Sequence, residues 1–195
     1  MAKRESVARY PLSAASPLSE ACEDAALQLI SDILLIHLTV TRPFGEISGL
    51  ISPALLDSAA HRPFFILGGD FAYQTGLEQA AALFESLIKN HVFDDGNKRT
   101  AITACLFFLD RCGYWSNSAF LSDKERIALE ALTLKIANEN ALLQSGTADT
   151  ALGVSGIANE LGKILQASKK RRFRLSRLLS NTFRPVNNLF RLSDD

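Results

Sequence analysis

The sequence predicts a mainly α fold carrying one small β-hairpin. Three observations predict it. Apolar residues recur at helical spacing in several separate stretches, and helix start and stop signals punctuate them. A single aromatic and branched stretch is broken by Gly68-Gly69, the composition of a hairpin. No internal repeat is present, and 195 residues suffice for one cored domain with some chain left over.

In chain order, residues 1–18 read as a polar arm. From Ser19, SEACEDAALQLISDILLIHLTV places Leu27, Leu29, Ile30, Ile33, Leu34 and Leu38 at helical spacing, with acids crowding the first turns as the helix dipole favours. Pro43 ends that helix. GEISGLISPALLDSAAHRP reads as a turn and a short helix from about Pro53. FFILGGDFAY is the hairpin, and TGLEQAAALFESLIKN is a helix running straight into His91. The next helix is expected to end at Cys112, with Gly113 as its left-handed stop and Tyr114 and Trp115 covering its end. Ser122 and Glu125 have capping-box spacing at the head of another helix. The organisation expected is an arm over 1–18, a catalytic domain over 19–145, an accessory helix over 146–168, and a basic amphipathic tail over 169–195.

The charge is unevenly placed. Residues 1–168 hold 13 Lys/Arg against 19 Asp/Glu, whereas residues 169–195 hold 8 Lys/Arg against 2 Asp. In the tail, Leu175, Leu178, Leu179 and Phe183 recur at helical spacing among arginines. That pattern suits contact with nucleic acid or a membrane surface, and equally a solvated helix resting on the acidic body. Three cysteines in apolar surroundings read as reduced core thiols, which places the chain in the cytoplasm. Three histidines without ligand spacing to them argue against structural zinc. No run reaches 18 consecutive apolar residues, so no transmembrane helix is expected, and the N-terminus lacks the apolar core of a secretory signal.

HVFDDGNKRT, residues 91–100, carries the chemistry. It opens a helix, yet Lys98 and Arg99 sit in the first turn, where the dipole disfavours cations. A bound polyphosphate reverses that sign. The helix start offers backbone N–H groups to an anion, Gly96 allows close approach, and Asn97 adds an amide donor. Arg99 can grip phosphate bidentately and Lys98 acts as a point charge. Asp95 beside phosphates is how Mg²⁺ is usually held. His91 is placed to accept a proton from an attacking hydroxyl, while Phe93, two residues on, points into the core. Asp95 and Arg99 also have the i,i+4 spacing of a plain helix salt bridge. Asp94 reads as a helix cap or a solvated neighbour, with a metal role as the alternative, and His37, in an apolar helix, as structural.

His91, Phe93, Asp95, Gly96, Asn97 and Arg99 match the signature H-x-F-x-[DE]-G-N-x-R at every fixed position, so the chain resembles the Fic/Doc family over about residues 25–140. GEISGLISPALLDSAAHRP and LFFLDRCGY resemble the segments that flank the signature in the Doc branch. The resemblance implies a helical bundle with a flap hairpin before the motif. It further implies His91 as base, Asp95 on Mg²⁺, and Gly96, Asn97, Lys98 and Arg99 around the phosphates of ATP. Lys98 is Doc-like, since AMP-transferring members usually carry Gly there. In the Doc branch the γ-phosphate goes to a Ser or Thr hydroxyl of a protein, the known target type is a translation elongation factor, and an antitoxin blocks the site. AMP transfer is the alternative chemistry, and an idle Fic fold binding nucleic acid or membrane through its tail is the alternative class. Delivery into a host cell as an effector is a further possibility. The self-inhibitory pattern [ST]-x-x-x-E-[GN] is absent, because Ala21 follows the Ser16–Glu20 pair, so a separate antitoxin is expected.

Overall fold

The computed structural model describes Tyr10, Leu12 and residues 18–42, 49–114, 121–139 and 152–179, the last thirteen of these as backbone alone. Six α-helices are named among the described residues: α1 Leu18–Thr41, α2 Pro53–His61, α3 Gly76–Lys89, α4 Asn97–Arg111, α5 Asp123–Ala137 and α6 Gly153–Leu179. A 3₁₀ turn, Arg62–Phe64, leads from α2 into a two-stranded antiparallel hairpin, β1 Ile66–Leu67 and β2 Asp70–Phe71. Its register pairs Ile66 with Phe71 and Leu67 with Asp70. Gly68 and Gly69 take φ of +63° and +91°. Two consecutive positive φ values are what a tight two-residue hairpin needs, and only glycine adopts them without cost.

Helix α3 is the axle of the bundle. Eleven of its residues are buried, from Gly76 through Ile88, as expected of a helix walled in on all sides. It packs against α2, α4, α5, α6 and the 3₁₀ turn. Ala80, Ala81 and Ala82 let neighbours approach closely, and Phe84 and Phe108 are fully buried beside them. Thr75 and Glu78 start α3 with a reciprocal capping box, Thr75 Oγ1 accepting from Glu78 N at 3.1 Å and Glu78 Oε2 accepting from Thr75 N at 3.0 Å. The expected box at Ser122 and Glu125 caps α5 in the same way. Past α4, Gly113 N donates to Asp110 O at 2.8 Å and Tyr114 N to Leu109 O at 2.9 Å, with Gly113 at φ +68°. This paired closure satisfies carbonyls that the helix end would leave orphaned.

The structure adds detail to four expectations. On α1, Leu27 and Leu38 lie outside, 51% and 62% exposed. The buried stripe is instead Cys22, Ala25, Ala26, Leu29, Ile33, His37 and Thr41, because α1 presents its small residues to α2 and α4. Its length and mean hydropathy of 1.4 are those of a membrane span, but this stripe makes it a core helix of the bundle. Second, the arm over 1–18 sends Tyr10 into the core, stacked on Phe108 with centroids 4.7 Å apart and edge-on to Phe64 at 5.3 Å. Third, α6 runs unbroken from Gly153 to Leu179, through the position where accessory helix and tail were divided; Ile157, Leu161 and Leu165 seat its first half in the core. Tail side chains, Trp115 and Phe183 lie outside the described residues. Fourth, of the cap and the solvated neighbour read for Asp94, the neighbour holds and the cap does not, since its side chain is exposed. The three thiols are free and buried, and burial pushes Cys112 up to about 12 and Cys105 higher still, so they are inert as nucleophiles.

A half-buried ionic cluster, its carboxylates buried and its cations partly exposed, ties the hairpin to the end of α3. Arg62 donates to Glu85 at 2.6 Å, to Ser86 Oγ at 2.8 Å, and to Tyr73 Oη at 3.2 Å. Lys89 bridges Glu85 at 2.7 Å and Glu139 at 2.5 Å. Arg62 precedes the hairpin, Tyr73 follows it, and Lys89 stands two residues before His91. The flap base and the entry to the motif loop thus hang from one set of charges.

Candidate active site

The motif loop begins where α3 stops. Asn90 caps α3, and its side-chain amide donates to Leu55 O of α2 at 3.2 Å. His91 follows at φ +48° with its side chain exposed. A left-handed conformation costs a non-glycine residue about 1–2 kcal/mol, so the surrounding structure must impose it. It does so on the next three residues. Ile51 N donates to Val92 O at 2.9 Å and Asp94 N to Gly49 O at 3.0 Å, with Phe93 bridged to Leu50. This short antiparallel pairing fixes the loop with Phe93 turned inward, 2% exposed, while the positive φ of His91 takes it out of the extended run and leaves its side chain exposed.

Phe93 stacks face to face on His37 at 3.7 Å and 4°. His37 Nδ1 lies 2.9 Å from Thr100 Oγ1, joining α1 to α4 beneath the loop. His37 is therefore structural, as its apolar helix suggests, and it is the floor of the site. The signal was available in sequence as the i+4 register of Ile33, His37 and Thr41.

Two signature residues also hold the loop in place. Asn97 Oδ1 accepts from Phe93 N at 2.9 Å, and its Nδ2 donates to Phe93 O at 2.5 Å. Its side chain staples the loop, and what it retains for an anion is its place in the first turn of α4. Gly96 caps α4 at φ +74°. A Cβ there would stand 2.6 Å from Thr41 Cγ2 and 3.3 Å from His37 Cε1. Glycine is needed because α1 lies against it, not because a ligand must approach on that side. Asp94 is latched sideways, its Oδ2 accepting from Gly49 N at 3.1 Å.

The remaining residues stay at the mouth. Asp95 Oδ1 accepts from Gly96 N at 2.6 Å, and Asp95 Oδ2 lies 3.7 Å from Arg99 Nη2 with its side chain 66% exposed. Arg99 also reaches Val40 O at 3.5 Å. An exposed i,i+4 pair at that separation is worth only a few tenths of a kcal/mol, too little to explain two cations in the first turn of α4. Lys98 is exposed beside it. No cluster of three or more His, Cys, Asp or Glu suited to a metal occurs among the described residues. The donor set fits an Mg²⁺ held jointly by Asp95 and bound phosphates, the usual manner for that ion, and not an all-protein cage. The structure thus brings His91, Asp95, Gly96, Asn97, Lys98 and Arg99 onto one loop and helix end.

Beside Arg99 opens a groove of about 310 Å³ between the end of α1, the second turn of α4 and the start of α5. Sequence reasoning assigned nothing there, since its walls come from residues far apart in the chain.

The Fic/DOC family profile matches residues 27–109. Toxin Doc of Mycolicibacterium smegmatis is 38% identical over 97 residues, which is 50% of this chain and 72% of that protein. No solved structure matches the chain. The matched stretch contains the hairpin, the stapled loop and most of α4, and the chain belongs to the Fic/Doc family.

Proposed function

We propose that this protein is a Doc-like toxin that transfers the γ-phosphoryl group of ATP to a Ser or Thr hydroxyl of a target protein. The observation that carries the reading is Lys98, which stands with Arg99 in the positive first turn of α4, a placement that a polyphosphate makes favourable. His91 takes the proton of the acceptor hydroxyl as its oxygen bonds to the γ-phosphorus. The bond from that phosphorus to the bridging oxygen breaks, and ADP leaves. Lys98 and Arg99 hold the phosphates, and the α4 amides face them. Asp95 would hold Mg²⁺, which offsets phosphate charge.

Similarity to a protein named as a toxin supports an antitoxin partner, and the Doc-branch resemblance supports a translation elongation factor as target. Buried, protonated thiols are in keeping with action in the cytoplasm. Side-by-side labelling of a cell lysate with γ-³²P-ATP and α-³²P-ATP tests the chemistry. Label from the γ position alone, abolished by His91→Ala, is expected. Label from the α position alone would replace phosphoryl transfer by AMP transfer. Neither label, with His91→Ala as toxic as wild type, would leave a binding module, for which removing residues 169–195 should abolish retention by nucleic acid or anionic vesicles.

A further inference from the structure

The outer face of α1 has no part in the core or in the chemistry derived so far, yet its middle is apolar. Opposite the buried stripe, Leu27, Ser31, Leu35 and Leu38 follow one another at helical spacing, all exposed. Exposed Glu20 stands at one end of this line and exposed Arg42 at the other. Between Asp32 and Arg42 the only ionisable side chain is His37, which is buried. The polar side chains among the leucines are turned back onto their own helix. Ser31 Oγ donates to Leu27 O at 3.4 Å, Thr39 Oγ1 to Leu35 O at 2.7 Å, and Gln28 Nε2 to Asp32 Oδ1 at 3.2 Å. Covering this face would therefore strand few polar groups, and a contiguous exposed apolar strip marks an association surface.

We propose that this face of α1 binds the same face of a second copy of the chain, the two helices running antiparallel about a two-fold axis at Ser31. The pattern is self-complementary, as a two-fold interface requires. Leu27 and Leu35 lie four residues to either side of Ser31, so each Leu27 meets the partner's Leu35. Glu20 and Arg42 lie eleven residues to either side, about 16 Å along the axis. Each Glu20 thus meets the partner's Arg42, and two ion pairs close the ends. Ser31 is the smallest residue of the line and stands where the helices cross, allowing close approach. Helices packed this way diverge at about 20°, which leaves Asp24 in water while the longer Glu20 and Arg42 reach across. Two other occupants fit less well. Membrane-surface helices are rich in Lys and Arg, whereas Leu18–Thr41 has none and carries Glu20, Glu23, Asp24 and Asp32. The basic tail, with arginines from Arg171 to Arg191, could answer Glu20 but not Arg42 or the uncharged stretch before it.

Sedimentation equilibrium of the full chain, from micromolar to near-millimolar concentration, tests this without reference to activity. A monomer–dimer equilibrium is expected. Leu35→Glu, at a position 65% exposed in the monomer, puts two carboxylates into the contact and should weaken the dimer about tenfold or more. Glu20→Arg or Arg42→Glu alone should weaken it about threefold or more, and the two together should restore it, because the ion pairs are then exchanged rather than lost. Ser31→Cys should be linked into a dimer by a short bis-maleimide, since the three native thiols are buried. Ser58→Cys, exposed on α2, should not be linked. A chain that stays monomeric at the highest concentration overturns the proposal. So does a dimer indifferent to Leu35→Glu, or one that Ser31→Cys does not link. Retention of monomeric wild type by phosphatidylcholine vesicles, lost in Leu35→Glu, would give the face to lipid and overturn it as well.

Discussion

Replacing Gly96 by Ala isolates what this glycine does. Two costs add. The residue sits at φ +74°, which costs an L side chain about 1–2 kcal/mol. The new methyl carbon would also stand 2.6 Å from Thr41 Cγ2 and 3.3 Å from His37 Cε1, and overpacking of this kind costs about 1–3 kcal/mol. Together the loss is about 2–5 kcal/mol, a large share of a domain's stability. Urea denaturation of wild type and Gly96→Ala measures the sum. Thr41→Ser separates the parts, because it removes the methyl group and keeps the hydroxyl that donates to His37 O at 2.8 Å. In the Gly96→Ala background, Thr41→Ser should return about 1–3 kcal/mol, with the backbone part remaining. A loss below about 1 kcal/mol, or no recovery with Thr41→Ser, would refute the claim that α1 dictates glycine here.

Other consequences follow from the same geometry. Asn97→Ala leaves the amide of buried Phe93 without its acceptor, at 2.9 Å in the intact protein, and should cost about 1–3 kcal/mol by denaturation; Asn97→Asp keeps the acceptor and should cost less. Glu85→Ala strips Arg62 and Lys89 of the carboxylate they share; both cations are partly exposed and Lys89 keeps Glu139, so about 1–3 kcal/mol should be lost, and a loss under about 0.5 kcal/mol would mean that water already screens the cluster. For His61, burial by itself lowers the pKa, but the hydrogen bond to Asp57 O and the Glu23 carboxylate outweigh it, and the net shift is upward. A raised folded pKa means stability fully present below the unfolded value of about 6.5 and lost as pH rises through the folded value. The melting-temperature gap between wild type and His61→Gln should therefore be wider at about pH 5.5 than at about pH 9; an equal gap would show that His61 stays neutral.

Much of this molecule is written locally. The Gly68-Gly69 hairpin and the Gly113 stop follow from backbone conformations that few residues adopt, and the Ser122 cap from side-chain hydrogen bonds three residues apart, so each is legible from a handful of neighbours. The motif helix is legible for the same reason, and its cations point to an anion because the helix dipole is a property of α4 alone. The membership of His91, Asp95, Lys98 and Arg99 in one site needs no tertiary information, since nine residues hold all four. Helical periodicity, by contrast, finds α1 but leaves open that Leu27 and Leu38 are exposed, because which stripe of α1 is buried depends on where α2 and α4 lie.

The same division runs through the signature itself. Residue types and spacing determined the family, the fold class and the polyphosphate chemistry to be expected at the head of α4. Only packing decided that Asn97 holds Phe93 and that Gly96 yields space to Thr41. The floor beneath them is His37, brought to Phe93 from a helix more than fifty residues upstream. The groove beside Arg99 is likewise made by residues 40, 102, 121 and 129 meeting in space. Local backbone preferences act over a few residues and can be read in order, whereas contacts between distant elements arise only when the hydrophobic core brings those elements together.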